Sequence, residues 1–248
     1  MPLLEIEPAF IGRLGALRSY SAIVEHFTTG ADMRAPVFVT RGTLPDGTEV
    51  FFKSYRYQSP SWRFLCRASK ARREFHNYGS LAACGARVAQ RVAVGERRDA
   101  IGRLREAFII TVAVPGARTL IEYAAATRAG AERDRVFSEL AQFTRAMHDR
   151  HFFYHDLVWR NVLVNNKDEV VFIDCPRGGV ARFGRNRHRL RDLASLDKSA
   201  WKFCRRTERL RFILRYLGRT RVDAEARALV IACLNYRRKR WPEDWGGK

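Results

Sequence analysis

Cysteine is scarce in this sequence and does not pair. Cys66, Cys84, Cys175, Cys204 and Cys233 are five in all, an odd number, with no C-x-x-C among them. That argues against a disulfide framework or a thiolate zinc site and fits a reducing compartment. Long apolar runs are also missing. Ala107–Val114 falls far short of the roughly 20 residues that cross a bilayer. The opening MPLLEIEPAF has no basic stretch and carries two glutamates, so it does not read as a signal peptide. The expectation is a cytoplasmic protein, or one peripheral on the cytoplasmic face of a membrane. Internal repeats and low-complexity segments are absent.

Acid is in short supply relative to base. Asp plus Glu number 26 against 46 Lys plus Arg, a net charge of +20. Such a balance speaks of partners and solubility rather than of fold. It suits nucleic acid, an anionic membrane surface or a phosphorylated substrate. No zinc finger, RNP-like aromatic motif or helix-turn-helix signature accompanies it, so no specific nucleic-acid partner is expected.

What is present is a core-forming chain of 248 residues, 46% hydrophobic. PVFVTRGTL (36–44) and TEVFFKSY (48–55) flank Pro45-Asp46-Gly47 and predict a β-hairpin. A helix is expected from about Trp62 to Cys84, stopped by Gly85, followed by strands at Arg87–Val94 and Glu106–Val114. Val114-Pro115-Gly116 then interrupts the pattern. Beyond it Val136, Leu140, Phe143 and Met147 recur at helical spacing, predicting a helix over 132–150. Short strands at Val162–Val164 and Val170–Ile173 follow, and helices run from about Leu190 to Arg240. The pattern predicts an α+β protein with a β-rich lobe (1–114), a Pro-Gly hinge and an α-rich lobe (115–248).

Chemistry concentrates in YHDLVWRNVLVN (154–165) and VVFIDCPRGG (170–179). Asp156 and Asp174 bracket an antiparallel hairpin, so both carboxylates and Asn161 are expected at one end of a small sheet. Three oxygen-bearing side chains there suit a hard cation such as Mg²⁺. Taken singly, each has an ordinary alternative. Asp156 and Asn161 serve as turn residues, Lys53 as a solvated strand lysine and Glu74 as an exposed helix charge.

HDLVWRN, with Asp, four intervening residues and Asn, resembles the catalytic loop of the protein-kinase-like fold. FIDCP stands where that fold has its metal-binding aspartate. Lys53 in EVFFKSY and Glu74 in KARREFHNYGSL complete the order. Within that superfamily, FFYHDLVWRNVLV, FIDCPRG and RLRDLASL most resemble the lipopolysaccharide kinase (Kdo/WaaP) family of bacterial enzymes. The resemblance implies a two-lobed fold and ATP-dependent, Mg²⁺-assisted phosphoryl transfer to a heptose or Kdo hydroxyl of the lipopolysaccharide inner core. Asp156 would then accept the hydroxyl proton, and Asn161 and Asp174 would hold Mg²⁺. Lys53 would neutralise nucleotide phosphates, oriented by Glu74. Asp192, a helix-start carboxylate on one reading, would by resemblance brace the catalytic-loop backbone. Arg237–Arg240 with Trp241 and Trp245 fits contact with an anionic inner membrane, the alternative being an ordinary helix end where cations favour the dipole.

Departures are visible as well. His155 stands where many kinases have Arg, so no phosphorylated activation-loop switch is inferred. Cys175-Pro176 replaces Phe-Gly, and small core packing is the expected role of Cys175. No G-x-G-x-x-G precedes Lys53; Thr28-Thr29-Gly30 is the nearest candidate, with Gly12 to Gly15 weaker. Pro176–Arg191 holds six arginines and no acid, so Arg177, Arg182, Arg185 and Arg187 are expected to bind an anionic substrate, the alternative being a solvated basic loop. Competing readings are a protein kinase, a small-molecule phosphotransferase and a non-catalytic basic scaffold. A cationic aminoglycoside acceptor conflicts with the arginines.

Overall fold

The structure, a computed structural model, describes residues 2–30, 35–57, 64–65 and 67–244. Trp62, Cys66 and Trp245 lie outside these. The chain forms two compact units, residues 1–79 with 89–114, and residues 80–88 with 115–248.

The first unit is built on a five-stranded antiparallel sheet. β1 (Leu3–Ile6), β2 (Val37–Thr43), β3 (Glu49–Arg56), β4 (Arg91–Arg98) and β5 (Leu104–Val112) lie in the order β1-β4-β5-β3-β2. The expected hairpin is β2 with β3, Val39 opposite Lys53. Its turn closes because Asp46 Oδ1 accepts from the Thr48 amide at 2.9 Å and Gly47 takes φ +86°. One sheet face packs on α1 (Tyr20–Thr28), for which no helix was expected. Its signals are nonetheless in the sequence. Ser19 caps it, accepting from the Ala22 amide at 3.2 Å. Tyr20, Ile23 and Phe27 then join Val50, Phe52, Phe108 and Ile110 in the core.

Two strand boundaries differ from expectation. β4 begins at Arg91 rather than Arg87, because Val88 bridges to Phe172 within the second unit. β5 spans Leu104–Val112 rather than Glu106–Val114. The next helix, α2 (Lys70–Ala83), starts later than Trp62. Ser69 sets the start: its hydroxyl accepts from the Arg72 amide at 3.0 Å, and its own amide donates to Glu96 at 2.6 Å. Gly85, at φ +84°, ends the helix as expected.

The second unit is mainly helical. α3 (Leu120–Ala126) is held by a capping box in which Thr119 and Glu122 satisfy each other's backbone amides. α4 (Ala131–Asp149) presents Val136, Leu140 and Met147 inward, as the periodicity predicts. β6 (Arg118–Thr119), β8 (Val162–Val164) and β9 (Val170–Phe172) form one small sheet, and β7 (Phe152–Phe153) pairs with β10 (Gly179–Val180). α5 (Arg185–Phe203), α6 (Arg206–Leu217) and α7 (Ala224–Arg240) complete the unit around Ala141, Leu193, Tyr216, Leu229 and Cys233. α5 opens before Leu190, so much of the arginine-rich segment is helix rather than the loop considered from sequence. Among the described residues Cys84, Cys175, Cys204 and Cys233 form no disulfide.

Candidate active-site residues

In the second unit the chain leaves α4, runs through β7 and makes the loop 154–161. Asp192 braces that loop. Fully buried on α5, it accepts from the backbone amides of Tyr154 at 2.7 Å and His155 at 2.8 Å. His148 Nε2 approaches the same carboxylate at 3.3 Å. Asp192 lies two turns inside α5, too deep for a helix-start role, since the dipole effect fades within the first turn. Its buried bonds to the loop make the difference. Leu157 and Trp159 anchor the loop in the interior.

The loop then turns on itself. Asn161 Nδ2 donates to the Asp156 carbonyl at 3.0 Å, and the Val158 amide does so at 2.8 Å. With its amide nitrogen so engaged, Asn161 keeps its side-chain oxygen as a donor atom for a ligand. Among the described residues no hydrogen bond or ion pair engages the Asp156 carboxylate, which is half-buried. The β8–β9 hairpin returns the chain to this point: Val162 pairs with Phe172, and the Ile173 amide donates to Asn161 O at 3.0 Å. The Tyr154 hydroxyl also donates to Ile173 O. Asn161 and Asp174 therefore stand at one end of the sheet. Asp174 takes φ +60° and His155 φ +66°, a left-handed backbone that Asp and His tolerate better than most residues.

Cys175 is fully buried, matching a packing role. Its thiol lies against Gly178, where an added Cβ would collide with Sγ and sit 2.9 Å from Phe152 Cζ. Arg177, Arg182, Arg185 and Arg187 are exposed, and among the described residues none of these guanidiniums has an internal acid. Two of them stand in the first turn of α5, where the dipole disfavours cations. Burial holds the His155 imidazole below the ordinary histidine range, against the opposing pull of Asp192.

In the first unit Lys53 Nζ meets Glu74 Oε2 at 3.2 Å. Sequence reasoning found this pair but missed its surroundings. Glu74 is only 2% exposed, and two phenols donate to it: Tyr55 to Oε2 at 3.1 Å and Tyr78 to Oε1 at 3.0 Å. The spacing carried a signal, since Tyr78 follows Glu74 by one helical turn and Tyr55 shares a strand face with Lys53. That face is apolar around the amine. Val39 and Ile109 flank Lys53 in register, and Val39 and Phe51 are 55% and 42% exposed. Thr28-Thr29-Gly30 is the end of α1, with both hydroxyls donating to helix carbonyls, and so is not a strand-to-strand loop.

On the remaining basic segment, Arg238, Lys239 and Arg240 are exposed, whereas Arg237 is buried and bonded to Asp197 at 2.9 Å. Arg237 is therefore an interior ion-pair partner and not part of a surface patch. Among the described residues no helix is long and apolar enough to cross a membrane.

Comparison with known families supports a phosphotransferase. The family model for the lipopolysaccharide kinase (Kdo/WaaP) family matches residues 57–216. The chain belongs to that family. Glu74, Asp156, Asn161, Asp174 and Asp192 fall inside the match, and Lys53 lies just before it. No curated protein matches the chain.

Proposed function

We propose that this protein transfers the γ-phosphoryl group of ATP to a hydroxyl of a lipopolysaccharide inner-core sugar. The carrying observation is Asp156: among the described residues its carboxylate has no partner, yet its loop is fixed by Asp192 and by Asn161. Such a group suits accepting the acceptor's hydroxyl proton while holding the oxygen in line.

The donor set fits magnesium. Among the described residues no three His, Cys, Asp or Glu side chains gather into a metal cage. Mg²⁺ seldom needs one, because it takes one or two protein oxygens and completes its shell with phosphate and water. Asn161 and Asp174 would hold it; when bound, Mg-ATP supplies the phosphoryl group and part of the charge neutralisation. Lys53 would add a fixed cation on nucleotide phosphates, and the exposed apolar face of Val39 and Phe51 would seat a base. These arginines favour an anionic acceptor, since among the described residues none of the four guanidiniums has an internal carboxylate to displace. Catalysis on this reading is positioning plus charge compensation.

The test is transfer from γ-labelled ATP to dephosphorylated lipopolysaccharide core. We expect labelled core from the wild type and a rate roughly 10²–10⁴-fold lower in Asp156→Ala, with the fold intact. Wild-type turnover in a folded Asp156→Ala protein rules the assignment out, and label appearing only on protein favours the protein-kinase reading.

A further inference from the structure

Next to Asp156, two imidazoles touch. His155 Nε2 and His188 Nδ1 are 2.9 Å apart, with ring centroids at 4.7 Å. His155 Nδ1 lies 3.0 Å from the carbonyl oxygen of Arg177. Phe153, itself buried, lies against both rings, at 6.5 Å from His155 and 5.4 Å from His188. One residue thus ties three segments together. The His155 amide is bound to Asp192 on α5, one ring nitrogen to the segment after Asp174, and the other to His188 on the second half-turn of α5.

The partners fix the protons. A carbonyl oxygen only accepts, so His155 Nδ1 carries hydrogen. In the neutral pair His155 Nε2 is then a lone pair and accepts from His188 Nδ1–H. His188 Nε2 takes no part in that bond. A proton added at His155 Nε2 faces the His188 N–H. The bond then opens, because two donors cannot share 2.9 Å. The charged groups facing the pair are Asp192, which favours protonation, and Arg191, which opposes it; His148 lies beyond Asp192.

We propose that His155 and His188 form a positioning clamp that fixes the backbone immediately before Asp156, and that the clamp holds until His155 Nε2 is protonated. The loop is thus locked by the chain's own imidazole. The inference rests on the reading of Asp156 as the base. The sign is set by the geometry: the clamp is closed at neutral pH and lost on acidification, below the ordinary histidine range.

His188→Ala and His188→Asn separate the possibilities, each assayed for kcat, KM for ATP and pH profile beside wild type and Asp156→Ala. We expect His188→Ala to lower kcat roughly 10- to 100-fold through misplacement of the loop, with KM for ATP and the thermal midpoint nearly unchanged. Asn offers an amide that can donate or accept at the Nδ1 position. His188→Asn should therefore recover most of kcat and lose the acid limb that wild type shows. Wild-type kcat and pH profile in His188→Ala, in a protein whose turnover Asp156→Ala abolishes, overturn the clamp alone. A folded His188→Asn as impaired as His188→Ala overturns it too. Turnover that survives Asp156→Ala, or is absent from wild type, overturns the reading of the base together with the clamp.

Discussion

At the scale of single residues, charge placement separates stability from chemistry. Glu74 is buried and fully answered: one lysine and two tyrosines donate to its two oxygens. Lys53 keeps 18% of its side chain exposed. These two ends of one ion pair should respond differently. Tyr78→Phe removes a donor from a buried carboxylate, and we expect a loss of about 1–3 kcal/mol in denaturant unfolding. Lys53→Met leaves two phenol donors in place, so stability should change little while nucleotide-dependent turnover falls. Equal stability losses in both variants would show that the amine holds Glu74 as firmly as the phenol does. Lys53 and Glu74 were legible because their order along the chain matched a known pattern. The tyrosines were not, because a phenol in a core looks like ordinary apolar packing until its hydroxyl is placed. Asp192 was half legible: the resemblance suggested a brace, and its depth in α5 decides between brace and helix-start carboxylate.

At the scale of elements, the hairpin β2–β3, α4 and β8–β9 could be read directly, since turn chemistry and periodicity agree there. β4 could not be fixed to the residue. Val92–Glu96 is buried on both faces, so alternation disappears and the apolar run slides freely. α1 was passed over although Ser19 and the Tyr20, Ile23, Phe27 spacing announce it. The short pair β7–β10 has no sequence signature of its own, yet it holds the segment after Asp174. Gly178 is the tight point there, with Cys175 Sγ and Phe152 in the space a Cβ needs. Gly178→Ala should therefore push Cys175 and its neighbour Asp174 out of place. We expect a stability loss of roughly 1–3 kcal/mol and a larger proportional fall in turnover. Adding Cys175→Ala should return part of both, because it clears Sγ but not Phe152. A Gly178→Ala protein with unchanged turnover would show that the Asp174 turn does not depend on this packing.

At the scale of the whole molecule, a net charge of +20 complicates any binding experiment, because polyphosphates are attracted wherever arginines cluster. Two units each carry part of the proposed machinery: Lys53 and Glu74 in the first, Asp156, Asn161 and Asp174 in the second. The sequence marked the change of pattern at Val114-Pro115-Gly116 but not that residues 80–88 pack with the second unit. A chain excursion such as 80–88 leaves no composition shift to read. Specific nucleotide binding must therefore be separated from general polyanion binding by its metal requirement. Saturating Mg-ATP at about 100 times its Kd should stabilise the protein by about 2.7 kcal/mol, read as a rise in Tm. Chelating Mg²⁺ should remove most of that rise, and Asp174→Asn should remove it even with Mg²⁺ present. Inorganic tripolyphosphate without metal measures the background set by charge alone, and this background should fade with added salt because exposed charges are screened. If tripolyphosphate and Mg-ATP raised Tm equally, in wild type and Asp174→Asn alike, the gain would belong to the arginines. The Asn161–Asp174 pair would then lose its assignment as a metal site.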